Sequence, residues 1–475
     1  MAARPWNAMV LDQVKYINEA FTASGQSPIH VHEDSTGGVL YMCAENEILV
    51  REEHSTDVTG LLNHPAEDVK WVARGVVRHT LVNADYTAVH EALGQIEANR
   101  GRGIAAPNHV LTVAPSGPCP ATEPEEVPSG IEPYPAVQEN GGEGVRIFIA
   151  DTGLLEDTVN TCPWLAGVER AAEPDGAGPQ PWEELPVIPP GPESERASEF
   201  LASQGAPPAA HQQATEAGQQ QRIAGVGPEL RTHGVAPSLA TLAAQQEIKP
   251  YIGHGTFVAG VARAMAPRAD VIVGNIFKTA GSALESDFVR ELDRALDLGV
   301  DIFNLSITAP TLKDRPLLAF ARWLERAQQY KGVVCVAAAG NSGQQLPSWP
   351  AACPEVVSVG ALAADWRSRA EFSNYGGWVD VYAPGRDIVN AFATGSYQCY
   401  VDPYANDPPR KFYGMARWSG TSFSAPMVSG LIAARMSRTG ENGREAATAL
   451  LAEARSQAVP GTGPILLPYG NRQGT

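Results

Sequence analysis

Cysteine is scarce in this chain: six among 475 residues, at positions 43, 119, 162, 335, 353 and 399. Their spacing matches no metal-ligand pattern, and they are too sparse for a disulfide framework, so free thiols are expected. Cys335 lies inside an apolar stretch and reads as a small core residue. Positive charge is also short: 35 Lys and Arg stand against 53 Asp and Glu, a net charge of -18. That balance argues against nucleic acid or an anionic membrane as a partner. No apolar run approaches the length of a membrane span. Asp12 and Lys15 interrupt the apolar stretch of Met1 to Ile17, so no secretory leader is visible and a cytoplasmic location is expected.

Several turns rich in glycine and small residues carry chemistry. Gly420-Thr421-Ser422-Phe423-Ser424-Ala425-Pro426 is a small-residue turn that lifts Ser422 out at the mouth of a helix. A hydroxyl is a poor nucleophile at neutral pH and needs a base, a group that orients the base, and donors for the developing oxyanion. His254, between Gly253 and Gly255, starts a helix whose Val258, Val261 and Met265 recur about a turn apart; it is the candidate base. Asp151 closes the apolar run 145 to 150, a pattern for a buried parallel strand, and it is the candidate orienting carboxylate. Asn341 follows the apolar run 333 to 338 and can donate its amide to an oxyanion.

These four segments, Asp-Thr-Gly at 151 to 153, His-Gly-Thr at 254 to 256, Ala-Ala-Ala-Gly-Asn at 337 to 341 and Gly-Thr-Ser at 420 to 422, resemble those of the subtilisin-like serine proteases. The order Asp, His, Ser is that of subtilisin. The resemblance covers roughly residues 145 to 440. It implies a serine endopeptidase with Asp151, His254, Ser422 and Asn341 as catalytic residues and no metal or organic cofactor in the chemistry. Structural calcium, common in the family, has no dense Asp/Asn ligand loop here and stays open. The resemblance also implies that substrate pairs as an extra strand near Gly281 and Ser282 and near Ser306, Ile307 and Thr308, with Ala338 and Gly340 lining the same cleft. Position 308 is glycine in much of the family, and threonine narrows the pocket or shifts the approach. Trp349-Pro350-Ala351 is expected as the far wall. The pocket segments 306 to 308, 337 to 343 and 347 to 351 hold no Asp or Glu, which disfavours cleavage after Lys or Arg. Two other functions fit the same residues: a maturation protease for one intracellular precursor, and a non-catalytic peptide-binding module.

The expected fold is α/β, a doubly wound parallel sheet, because strands alternate with helices from residue 271 to 359. Residues 1 to 34 read as an N-terminal extension, helix-like and then a polar loop. Residues 35 to 116 read as a small α+β region with strands at 47 to 52, 69 to 81 and 106 to 113 and a helical face of Val89, Leu93 and Ile96. It is similar in position and pattern to the pro-domain of many subtilisin-like proteases, which implies an intramolecular inhibitor. Residues 117 to 144, rich in Pro, Glu and Gly, read as an exposed, cleavable linker. The protease region is expected over 145 to 475, with a disordered insertion at about 173 to 222 that is proline-rich and holds Trp182 and Phe200 as its aromatic residues.

Overall fold

The computed structural model describes residues 6–33, 39–62, 66–113, 121–172, 247–399 and 407–469. All of them belong to one compact unit. The insertion expected at 173 to 222 lies outside the described residues.

The strands, in chain order, are β1 (Ile29–Glu33), β2 (Val39–Arg51), β3 (Ala66–Ala73), β4 (Val76–Leu81), β5 (Ala105–Thr112), β6 (Arg146–Asp151), β7 (Glu169–Arg170), β8 (Glu247–Ile248), β9 (Asp270–Asn275), β10 (Ser282–Leu284), β11 (Ile302–Leu305), β12 (Val334–Ala338), β13 (Val356–Leu362), β14 (Val381–Pro384), β15 (Ile388–Tyr397) and β16 (Arg410–Trp418). The principal helices are α1 (Trp6–Ala23), α2 (Tyr86–Arg100), α3 (His254–Met265), α4 (Glu285–Asp297), α5 (Leu318–Ala327), α6 (Thr421–Thr439) and α7 (Gly443–Ser456).

The large sheet has the order β14-β13-β12-β11-β6-β9-β7, and every pairing in it is parallel. Its central strands are continuous apolar runs because both faces are covered. Strands β11, β12 and β13 are buried along their whole length. The order reverses beside β6, where β9 follows in sequence on one side and β11 lies on the other. Such a reversal leaves a crevice at the carboxyl ends of the strands, where ligands of open α/β sheets gather. Helices α3 and α6 pack together under this crevice, and their Val258, Val261, Met427, Val428 and Ile432 share one core with Ile147, Ile149 and Val336.

The N-terminal region supplies five strands of a second sheet, β10-β5-β2-β4-β3 with β1 on β2, to which the protease region adds β10, and its helix α2 buries Val89, Ala92 and Ile96 against Ile48, Val50 and Leu81. Three expectations change here. Strand β1 lies at the end of the 1 to 34 extension, where a polar loop was expected; its sequence, Ile-His-Val-His-Glu, alternates too briefly to announce itself. The single strand expected over 69 to 81 is a hairpin, β3 and β4, turned at Arg74-Gly75, where Gly75 takes a φ of +80°. From residue 121 onward the linker is exposed at many positions, as expected, but its backbone is docked on the protein. Glu125 and Arg417 exchange backbone hydrogen bonds, as do Tyr134 and Val389, and Trp418 Nε1 donates to Thr122 O at 2.7 Å. Buried Glu123 accepts from the Tyr397 hydroxyl. The segment follows β15 and β16 as far as Tyr134 and then α3 and α6, where Gln138 N donates to Ala264 O and Gly142 N to Ser437 Oγ. No helix among the described residues is long and apolar enough to cross a membrane.

Candidate active site

Each candidate side chain leaves the end of a buried element. Asp151 is the last residue of β6, and it is 0% exposed. Its Oδ1 accepts from Thr152 N at 2.7 Å and from His254 Nδ1 at 2.7 Å. A carboxylate has no proton to give, so Nδ1 is the donor and a neutral imidazole carries its lone pair on Nε2. That Nε2 is buried and has no hydrogen-bond partner.

The close approach of α3 to β6 depends on Gly255. A Cβ there would stand 2.3 Å from Gly153 O and 3.2 Å from Asp151 Oδ1. Thr152 Oγ1 accepts from Gly255 N at 3.1 Å, which pins the helix start to the strand end. The imidazole is also clamped by aromatic rings: Trp418 lies edge-on at 5.7 Å and Phe423 at 5.7 Å. Phe423 is the neighbour of Ser422, so this packing ties the imidazole to the turn that carries the serine.

Ser422 is the second residue of α6 and is 2% exposed. Its backbone oxygen accepts from Ser306 Oγ at 2.8 Å. Ser306 Oγ accepts from Asn304 Nδ2 at 2.9 Å, and Asn304 Oδ1 accepts from Ser429 Oγ at 3.0 Å. This buried chain fixes the serine turn to the end of β11. The start of α6 also supplies a positive dipole end at the serine.

Asn341 is oriented by the same helix start. Its Oδ1 accepts from Thr421 N and from Thr421 Oγ1, both at 2.9 Å. With the oxygen engaged, the remaining capacity of the amide is its two Nδ2 protons, which are donors. Gly340, at φ +100°, makes the turn before it; a Cβ there would stand 2.5 Å from Asn374 Nδ2. Asn374 holds the loop by donating to Ala339 O at 2.9 Å and accepting from Ser342 N and Gln344 N at 3.1 Å.

The expected substrate-side residues fall along one cleft. Ser306, Ile307 and Thr308 continue from β11, and Ala338 and Gly340 end and follow β12. Gly281 and Ser282 lie at the start of β10. A strand already runs between the 281–282 and 306–308 edges, and it is the end of β5. Thr112 N donates to Thr308 O at 3.1 Å, Thr308 N donates to Thr112 O at 3.0 Å, and Val113 N donates to Gly281 O at 3.0 Å. Strand β10 pairs with β5 in antiparallel register, Ser282 opposite Thr112. Trp349, expected at the far wall, pairs with Ala309.

Behind that strand lies a buried polar seam. Asn108 Nδ2 donates to Glu47 Oε2 at 2.7 Å and to Ser286 Oγ at 3.0 Å, while its Oδ1 accepts from Ser286 N at 3.1 Å. His109 Nε2 accepts from Leu312 N at 3.1 Å, and Nδ1 faces Glu285 Oε2 at 3.4 Å. Trp418, Asn374, Ser429 and this Asn108-His109 seam are absent from the sequence-based candidates. The signals available were slight: a Ser-Asn-Tyr-Gly turn for Asn374 and an Asn-His pair inside an apolar strand.

His254 Nε2 makes no hydrogen bond to Ser422 in this structure, and Asn341 keeps its two Nδ2 protons for donation. Residues 142–463, well over half of the chain, match the model of the Subtilase family. The chain belongs to the subtilase family. A thermophilic serine proteinase from Bacillus sp. (strain AK1) is 35% identical over 223 residues, which is 44% of this subtilase and 48% of that protein. An intracellular serine protease of Paenibacillus polymyxa is 32% identical over 199 residues, 39% of this chain and 54% of its own length. The matches thus span about half the length of these relatives. Fervidolysin from Fervidobacterium pennivorans, a keratinolytic enzyme related to subtilisin, shares the fold at a TM-score of 0.52 and 18% identity over 91% of this subtilase and 61% of that chain. Among the described residues, no group of three or more His, Cys, Asp and Glu is placed to hold a metal ion.

Proposed function

We propose that this subtilase is a serine endopeptidase held in check by its own N-terminal region. The observation that carries the reading is the fully buried Asp151–His254 contact at 2.7 Å together with the unpartnered Nε2 on the far side of the ring. Burying an imidazole nitrogen without a partner costs free energy, and a site that uses it to receive a proton explains the cost.

The steps follow from the groups. His254 Nε2 takes the proton of Ser422 Oγ as that oxygen attacks the peptide carbonyl, and the imidazolium is stabilised by Asp151. The tetrahedral oxyanion accepts from Asn341 Nδ2 and the Ser422 backbone N–H. As the C–N bond breaks, His254 returns the proton to the leaving amine, and the acyl group stays on Ser422. Water then attacks the ester with His254 again as base, and the acid product leaves. No step calls for a metal or an organic cofactor.

Inhibition in cis rests on the two hydrogen bonds between Thr112 and Thr308 and on the one from Val113 to Gly281. A substrate strand added to this cleft would use the same donors and acceptors. The partners are therefore a protein or peptide substrate and, in competition with it, residues 110 to 113. Active-site labelling tests the reading: a fluorophosphonate should label the full chain at one serine, and Ser422→Ala should abolish it. Labelling that survives in Ser422→Ala would overturn the proposal.

A further inference from the structure

Strands β11 and β12 run parallel in the register Leu305 opposite Ala337, and the next residues leave the sheet with Thr308 on one edge and Gly340 on the other. Beyond the last pair the two edges form a slot next to Ser422, because Ser306 Oγ bonds Ser422 O on one side and Asn341 follows Gly340 on the other. A substrate strand in the register of Thr112, opposite Thr308 and antiparallel, has its residue two positions later opposite Ser306. On the endopeptidase reading, that residue lies nearest Ser422, which Ser306 Oγ bonds through its backbone oxygen, and the slot is the space nearest its side chain.

Thr308 crosses this slot. Its Cγ2 is 3.4 Å from where a Cβ on Gly340 would stand, already at the contact distance of carbon atoms. With β5 paired to it, the threonine is 3% exposed and its methyl is packed within the protein. The opposite edge cannot yield, because Gly340 has a positive φ and backs onto Asn374.

On the reading that the chain is a serine endopeptidase, we infer that Thr308 closes the slot to large side chains, so that the enzyme cleaves after Gly, Ala or Ser and rejects aromatic and long aliphatic residues there. Glycine at 308 would leave the slot open between two backbone walls. Threonine fills it with a branched side chain whose χ1 freedom is small, so induced widening is costly.

The test uses four fluorogenic peptides identical except for Ala, Ser, Leu or Phe before the scissile bond, assayed with the full chain incubated to constant activity. The account expects kcat/KM for Ala to exceed that for Phe by about 10²-fold or more, the scale on which a pocket rejects several surplus carbons. In Thr308→Gly the Phe-to-Ala ratio should rise at least about 30-fold, and Thr308→Ala should fall between. Equal cleavage after Phe and Ala in the parent, or a ratio unchanged in Thr308→Gly, would overturn the assignment. A small fluorophosphonate needs no slot, so labelling of Ser422 alongside such a result would leave the peptidase reading standing and sink the slot alone. Absence of labelling would sink both.

Discussion

Thr112 and Thr308 exchange both backbone hydrogen bonds, at 3.1 and 3.0 Å, and so join the N-terminal sheet to the edge of the proposed substrate cleft. The bonds occupy the donors and acceptors a substrate needs. Thr112→Pro removes one donor and adds a ring where β5 lies against Thr308. The full chain carrying it should cleave a small peptide several-fold faster at the start of the reaction, on the order of 3- to 10-fold, because about one backbone hydrogen bond of competition is lost. An initial rate equal to that of the parent would argue that the strand does not block the cleft.

The orientation of Asn341 by Thr421 separates donation from binding. Asn341→Ala should lower kcat by about 10²–10³, the size that loss of the corresponding donor has in subtilisin, with little change in KM. Thr421→Val keeps the backbone donor to Asn341 Oδ1 and deletes the hydroxyl, so it should lower kcat by a smaller factor, about 10-fold. Steady-state kinetics on both variants check this. A change mainly in KM would make Asn341 a binding residue.

Gly255 is where the structure leaves no room. Because Gly255→Ala sets a Cβ 2.3 Å from a backbone oxygen, strand β6 or helix α3 has to shift, and overpacking of this kind costs about 1–3 kcal/mol. A lower Tm should therefore come with a fall in kcat, since the same shift lengthens the Asp151–His254 contact. Retention of both would show that the helix start is softer than its packing implies.

Acid should loosen the N-terminal region before the protease core. Burial lowers the pKa of His30, with His32 adding to the effect, and burial lowers that of His79. The folded region thus disfavours the protonated form of both, against the opposing pull of Asp85 and Glu33 on His30. The unfolded chain takes up protons at the ordinary histidine value of about 6.5, so the stability they contribute is present above that pH and is lost as pH falls below it. Thermal unfolding of the Ser422→Ala chain, which cannot digest itself, should show the β1–β5 region losing Tm between about pH 7.5 and 5.5. His79→Gln should shrink that loss. A pH-independent Tm across this range would contradict the prediction.

The parallel sheet and the candidate groups Asp151 and Asn341 were legible because each sits at the end of a contiguous apolar run beside a Gly-containing turn, which leaves few places for a polar residue. His254 and Ser422 were marked instead by the glycines and small residues around them at helix starts. What escaped is held by partners distant in sequence. Asn374 matters through Ala339 O, Trp418 through the His254 ring, and the segment 121 to 144 through strands more than 250 residues later. Local composition reads that segment as a linker, since its prolines and glycines state only that it is neither helix nor long strand. Strand β1 needed β2 as a template before its short alternation meant anything.

The most direct measurement is turnover of a peptide with Ala before the scissile bond by the full chain and by Ser422→Ala and His254→Ala. Triad members act as a unit, so each variant should lose activity on the order of 10⁶-fold, the size such removals have in subtilisin, with KM for residual cleavage little changed. Activity within about tenfold of the parent in Ser422→Ala would contradict the assignment of Ser422 as nucleophile and with it the proposed function.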